Sequence, residues 1–165
     1  MSNAQQSFAD WFATPLGQYL LERELKYVNQ VVADVFGFNA LQLGLPEHDF
    51  LGASRIPFKC SVAPSGAVEL RADFFDLPIA SNSIDLLLLP HVLEFSTRPH
   101  QILREVQRVL MPEGHAVIMC FNPWSLWGVR RFFRRARRTY PWAGNFISLP
   151  RLKDWLALLG LGGES

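Results

Sequence analysis

The chain has 165 residues, 49% of them hydrophobic, with 16 Lys and Arg against 15 Asp and Glu for a net charge of +1. That length suits a single domain with a real core, and the charge balance excludes a protein that is acidic or basic throughout. No apolar run approaches the roughly 18 residues of a membrane span, and the N-terminus has no charged-then-apolar leader pattern, so a cytoplasmic protein is expected. Cys60 and Cys120 lack metal-ligand spacing and are expected as free thiols, with no metal site.

In chain order, 1–38 reads as an N-terminal helical cover. Thr14-Pro15 is a helix start, Leu16, Tyr19, Leu20, Val28, Val31, Val32 and Val35 give one broad apolar side, and Gly37 is the expected stop. The sheet core spans 39–121. Ala40 to Leu43 is its first strand, followed by the loop Gly44-Leu-Pro-Glu-His48, and Lys59 to Val62 makes a short strand between Pro57 and Pro64. Val68 to Leu70 is strand-like. Asp73 is suited to capping a turn and Phe74 or Phe75 to filling the core, and Ser81-Asn-Ser83 forms a turn into the next strand.

Ile84 to Leu89 is a near-continuous apolar run, the pattern of a central strand covered on both faces. Asp85 has a structural role near its start. Pro90 ends it and releases His91, Val92, Leu93 and Glu94 at the carboxyl edge, where open α/β sheets place their ligands. Ser96 or Thr97 then caps a helix with Pro99 in its first turn. Ile102, Leu103, Val106, Val109 and Leu110 face inward and Arg104, Glu105 and Arg108 outward. Pro112-Glu-Gly114 breaks that helix, and Ala116 to Phe121 is the next strand.

The last part, 122–165, holds a basic amphipathic helix over Val129 to Thr139. Arg130, Arg131, Arg134, Arg135, Arg137 and Arg138 share one side of it, and Trp124, Trp127 and Trp142 flank it. Such a concentration suits an anionic partner, nucleic acid or a membrane surface, and equally a solvated face. Leu149 to Leu159 is the final helix, stopped by Gly160. The alternation of strand and helix patterns predicts a three-layer α/β sandwich with a mainly parallel sheet.

Ser83-Ile-Asp85, Val92-Leu-Glu94, Leu103-Arg-Glu105, Arg108-Val-Leu110 and Pro112-Glu-Gly114, in that order, resemble the class I S-adenosylmethionine-dependent methyltransferases of Rossmann-like fold. The resemblance implies S-adenosyl-L-methionine as cofactor, bound across the carboxyl edges of the first, third and central strands, and a small-molecule acceptor whose identity is not readable. It assigns the turn beside the methionine end to Gly44, the adenine acceptor to Asp73 and the stacking ring to Phe74. His91 lies at the cofactor edge as candidate base, with Glu94 as its orienter or as a substrate contact. Three departures accompany it. Only one glycine of the Gly-x-Gly-x-Gly loop remains, and no acid stands near Ser61 to Pro64 to receive the ribose hydroxyls. The antiparallel C-terminal hairpin is absent, which leaves an edge that a second copy could cover as a homodimer. These departures support an alternative from another class, a non-catalytic methyltransferase-like module that uses its arginine helix to contact nucleic acid, membrane or a partner protein.

Overall fold

The computed structural model describes residues 8–121 and 147–160. Helix α1 (Pro15–Ala33) starts where Thr14 caps it, the Thr14 Oγ1 accepting from Gly17 N at 3.1 Å, and a helical turn over 8–12 precedes it. The strands are β1 (Asn39–Leu43), β2 (Phe58–Ala63), β3 (Leu70–Arg71), β4 (Ile84–Pro90) and β5 (Leu110–Met119). Between β4 and β5 runs helix α2 (Pro99–Val109), and helix α3 (Leu149–Leu158) follows later, ending at Gly160 with φ +71°. The strands form one all-parallel sheet in the order β3-β2-β1-β4-β5.

Alternation along β4 divides the core in two. Leu86 and Leu88 pack with Val28 and Val32 of α1, Phe8, Phe12 and Phe50, whereas Leu87 and Leu89 pack with Ile102, Leu103 and Val106 of α2 and Leu152 of α3. All four leucines have 0% exposure, and burial on this scale stabilises by about 1.5–3 kcal/mol per side chain. The three layers are therefore α1, the sheet, and α2 with α3. Neither 44–57 nor 64–69 carries a helix, and the latter, at six residues, is shorter than a parallel crossover usually asks, so α2 is the α-helical crossover among the described residues.

Several local expectations need adjustment. α1 stops at Ala33, before Gly37; the glycine instead allows close approach, since a Cβ there would lie 2.4 Å from Cβ of Asp85. Asp85 Oδ2 accepts from Phe38 N and Asn39 N, both at 2.9 Å, and so fixes the entry to β1. Arg98 occupies the cap position of α2 with no side-chain cap, and Ser96 Oγ accepts from Arg98 N instead. β5 begins at Leu110, six residues before the expected Ala116, because the Pro-Glu-Gly segment bulges within the strand rather than preceding it; Glu113 takes φ +66° there.

Glu105 and Arg108 are not solvated outward groups. Their side chains pair at 2.8 Å while Glu105 accepts from Leu77 N and Arg108 donates to the carbonyls of Leu77 and Ile79. One helix turn thereby clamps the segment leading from β3 to β4, and Arg104 alone of the three charged groups stays exposed.

Candidate active site

The chain moves outward from β1 through β2 to β3 and returns to β4 on the other side of β1. The direction of winding thus reverses between β1 and β4, and such a reversal opens a crevice at the carboxyl ends of the strands. Both lips of this crevice hold left-handed backbone: Gly44 and Leu45 (φ +84° and +44°) after β1, and His91 (φ +53°) after β4. Leu45 and His91 have side chains that disfavour this conformation, and strain of about 1–3 kcal/mol per residue is the kind that clusters at functional sites.

On the β1 lip the turn is held by Gln42, a residue the sequence reading passed over. Its Nε2 donates to the carbonyls of Gly44 and Leu45 (3.1 Å each) and His48 (2.8 Å), and its Oε1 accepts from Phe50 N at 3.1 Å. One buried amide therefore satisfies four backbone groups of a loop with a single glycine, doing by side-chain hydrogen bonding part of what glycine freedom does elsewhere. No local pattern marks a strand glutamine for this task. His48 stacks edge-on to Phe12 at 5.5 Å, and burial lowers its pKa against the opposing charge of Glu47.

His91 on the β4 lip is 2% exposed and sits between two carboxylates. Nδ1 meets Glu94 Oε1 at 2.8 Å, and Nε2 meets Glu24 Oε1 and Oε2 at 3.0 and 3.1 Å. Glu24 comes from the same stripe of α1 as Val28 and Val32, so the N-terminal helix is tied to the end of the central strand. Rings of Phe8 (5.1 Å) and Phe121 (4.4 Å) enclose the imidazole. Burial by itself lowers the His91 pKa, but the hydrogen bonds and charges of Glu24 and Glu94 outweigh it and raise the value to about 9. Glu94 Oε1 also accepts from Phe121 N at 3.1 Å, while its buried Oε2 has no partner among the described residues. Burial and these two carboxylates push the Cys120 thiol far above its ordinary range. Cys60 and Cys120 are both free.

The adenine-side candidates separate. Asp73 is exposed two residues beyond β3, and its Oδ1 accepts from Phe75 N at 3.2 Å, so it caps a turn. Phe74 has 0% exposure and belongs to the core on the α2 side; the neighbouring half-buried ring is Phe75, with the Arg98 guanidinium 4.5 Å from its centroid. Gly44 thus follows the end of β1, His91 and Glu94 lie buried just beyond the end of the adjacent β4, and Asp73 sits two residues beyond β3. The arginine run from Arg130 to Arg138 and its flanking tryptophans lie outside the described residues. Among those described there is no cluster that could hold a metal ion, and no helix is long and apolar enough to cross a membrane.

Among the described residues, the five-stranded parallel sheet with helices on both faces and a crevice at its β1/β4 reversal is a Rossmann-like methyltransferase fold, and residues 56–118, from just before β2 to one residue short of the end of β5, match the methyltransferase domain family. The chain is 34% identical over 151 residues to the protein YafS of Escherichia coli (strain K12), a match covering 90% of this chain and 63% of that one. It is also 32% identical over 81 residues to the ubiquinone/menaquinone biosynthesis C-methyltransferase UbiE of Rubrivivax gelatinosus, covering 49% of this chain and 29% of the relative. The chain therefore spans less than two thirds of the length of these relatives. Among solved structures, the methyltransferase bound to the Trm112 activator in Haloferax volcanii superposes with a TM-score of 0.71 at 17% identity, covering 96% of this chain and 77% of that one. An S-adenosylmethionine-dependent methyltransferase of Thermotoga maritima gives 0.70 at 18%, covering 94% and 80%. At such identities these two establish the fold.

Proposed function

We propose that this domain transfers a methyl group from S-adenosyl-L-methionine to a small-molecule acceptor. The observation that carries the reading is the carboxyl-edge crevice at the β1/β4 reversal, built within and beside the segment that matches the methyltransferase domain. The donor set suits the cofactor. A tight turn at Gly44 and Leu45 passes its backbone close to the crevice, and the exposed Asp73 carboxylate offers an acceptor for an adenine amino group. Phe74 is buried in the core and unavailable for stacking, and Phe75 is the ring a purine can reach.

When bound, the cofactor supplies a methyl group made electrophilic by its sulfonium. Transfer then depends mainly on holding donor and acceptor in line at near-attack distance, so few catalytic side chains are required. A His91 that keeps its proton to about pH 9 has no lone pair to accept another at neutral pH. In this reading Glu94 orients it, Glu24 ties it to α1, and the pair fixes the β4 lip instead of withdrawing a proton. Acceptors that are already anionic, such as enolates, or that release their proton to solvent, fit that arrangement best. The decisive experiment is calorimetric titration with S-adenosylhomocysteine. Binding that weakens in Asp73→Ala supports the reading, and no heat at millimolar ligand sinks it.

A further inference from the structure

In doubly wound α/β folds an acid about 20 residues beyond the first loop receives the ribose hydroxyls of a nucleotide cofactor. By that count the position falls at Ser61 to Pro64, where the chain has no acid. The fold nevertheless brings one there. β3 pairs with the end of β2 in the register Val62↔Leu70 and Ala63↔Arg71, which sets Glu69 beside Ser61. The Glu69 Oε2 accepts from Ser61 N at 2.9 Å and from the Ser61 hydroxyl as well. Only the six residues 64–69 separate β2 from β3, and a connection with a helix in it would carry this carboxylate away.

The carboxylate borders an open cleft between β2 and the loop after β1. Glu69 and Ser61 line a cleft of about 220 Å³ together with Lys59, and Gln42, Pro46 and His48 of the β1 strand and loop also line it. The carboxylate therefore shares one cleft with Pro46 and His48 of the loop that follows the Gly44-Leu45 turn. The two Ser61 hydrogen bonds lower the Glu69 pKa, keeping the group an anion at neutral pH. A carboxylate offers about four acceptor positions, so the two Ser61 donors leave room for the paired hydroxyls of a vicinal diol.

We propose that Glu69 is the ribose-binding acid of this domain, delivered from the neighbouring strand and fixed by Ser61 in place of the acid missing from β2. The inference rests on the cofactor reading above and assigns the ribose end of that ligand. Its test is calorimetry on the full chain with S-adenosylhomocysteine, adenosine and 2′,3′-dideoxyadenosine, comparing wild type with Glu69→Ala and Glu69→Gln. Charge-assisted hydrogen bonds of the usual strength predict that Glu69→Ala weakens S-adenosylhomocysteine about 10- to 100-fold and adenosine similarly, with the dideoxy analogue bound equally by both proteins. Glu69→Gln should fall between. If wild type binds S-adenosylhomocysteine and Glu69→Ala binds it within about twofold, the assignment fails while the cofactor reading stands. Equal losses for adenosine and its dideoxy analogue would also overturn it, by showing a general effect on the cleft. No binding by wild type would remove the cofactor reading and this assignment together.

Discussion

Raising the pH through the titration of His91 should loosen the tie between α1 and the sheet. The imidazole has a folded-state pKa of about 9, against an unfolded reference of about 6.5. Between those values the native state holds a proton that the unfolded chain has released, so stability falls as pH rises. The contribution is fully present below about pH 6.5 and gone once pH has passed through about 9. At 1.36 kcal/mol per pKa unit the difference comes to about 3 kcal/mol, a large share of the ordinary stability of a domain this size. Urea unfolding at intervals from pH 6 to pH 10 should show the midpoint dropping over this window. His91→Gln, which cannot titrate, should start lower and stay flatter, and this control separates His91 from thiols and amines that ionise in the same range. The imidazole proton resonances of His91 should shift near pH 9. A flat wild-type profile, or a His91 titrating near 6, would refute the claim that Glu24 and Glu94 hold it as an imidazolium.

Two further substitutions test how the site is supported. Asp85→Ala removes the acceptor of two backbone N–H groups at the entry to β1 and should cost about 1–3 kcal/mol by denaturant unfolding, with Asp85→Asn losing less; equal stability of all three proteins would contradict the role. Gln42→Leu leaves the carbonyls of Gly44, Leu45 and His48 without their common donor, so a loss of roughly 2–4 kcal/mol is expected. Faster amide hydrogen exchange across 44–50 should accompany it, and unchanged protection there would show that the turn holds its shape unaided.

The sequence by itself determined the elements whose signals are local. The apolar run that became β4, the helical spacing of α2 and the Leu-rich stripe of α3 ahead of Gly160 are each written within about ten neighbouring residues, and the residues around β4 and α2 carried the methyltransferase resemblance. Tertiary structure alone decided which polar groups meet. Glu24 reaches His91 across 67 residues, and Glu69 reaches Ser61 only because the connection after β2 is short. Glu105 and Arg108 look outward on a helical wheel, yet they turn to the backbone beyond β3, because that segment lies against the rim of α2. Adjacent rings at 74 and 75 differ by one position and take opposite fates, since the core admits Phe74 and leaves Phe75 half-covered. Periodicity records which face of an element is apolar, but the partner of a polar side chain is set by packing between elements distant in the chain, and that packing has no local signature.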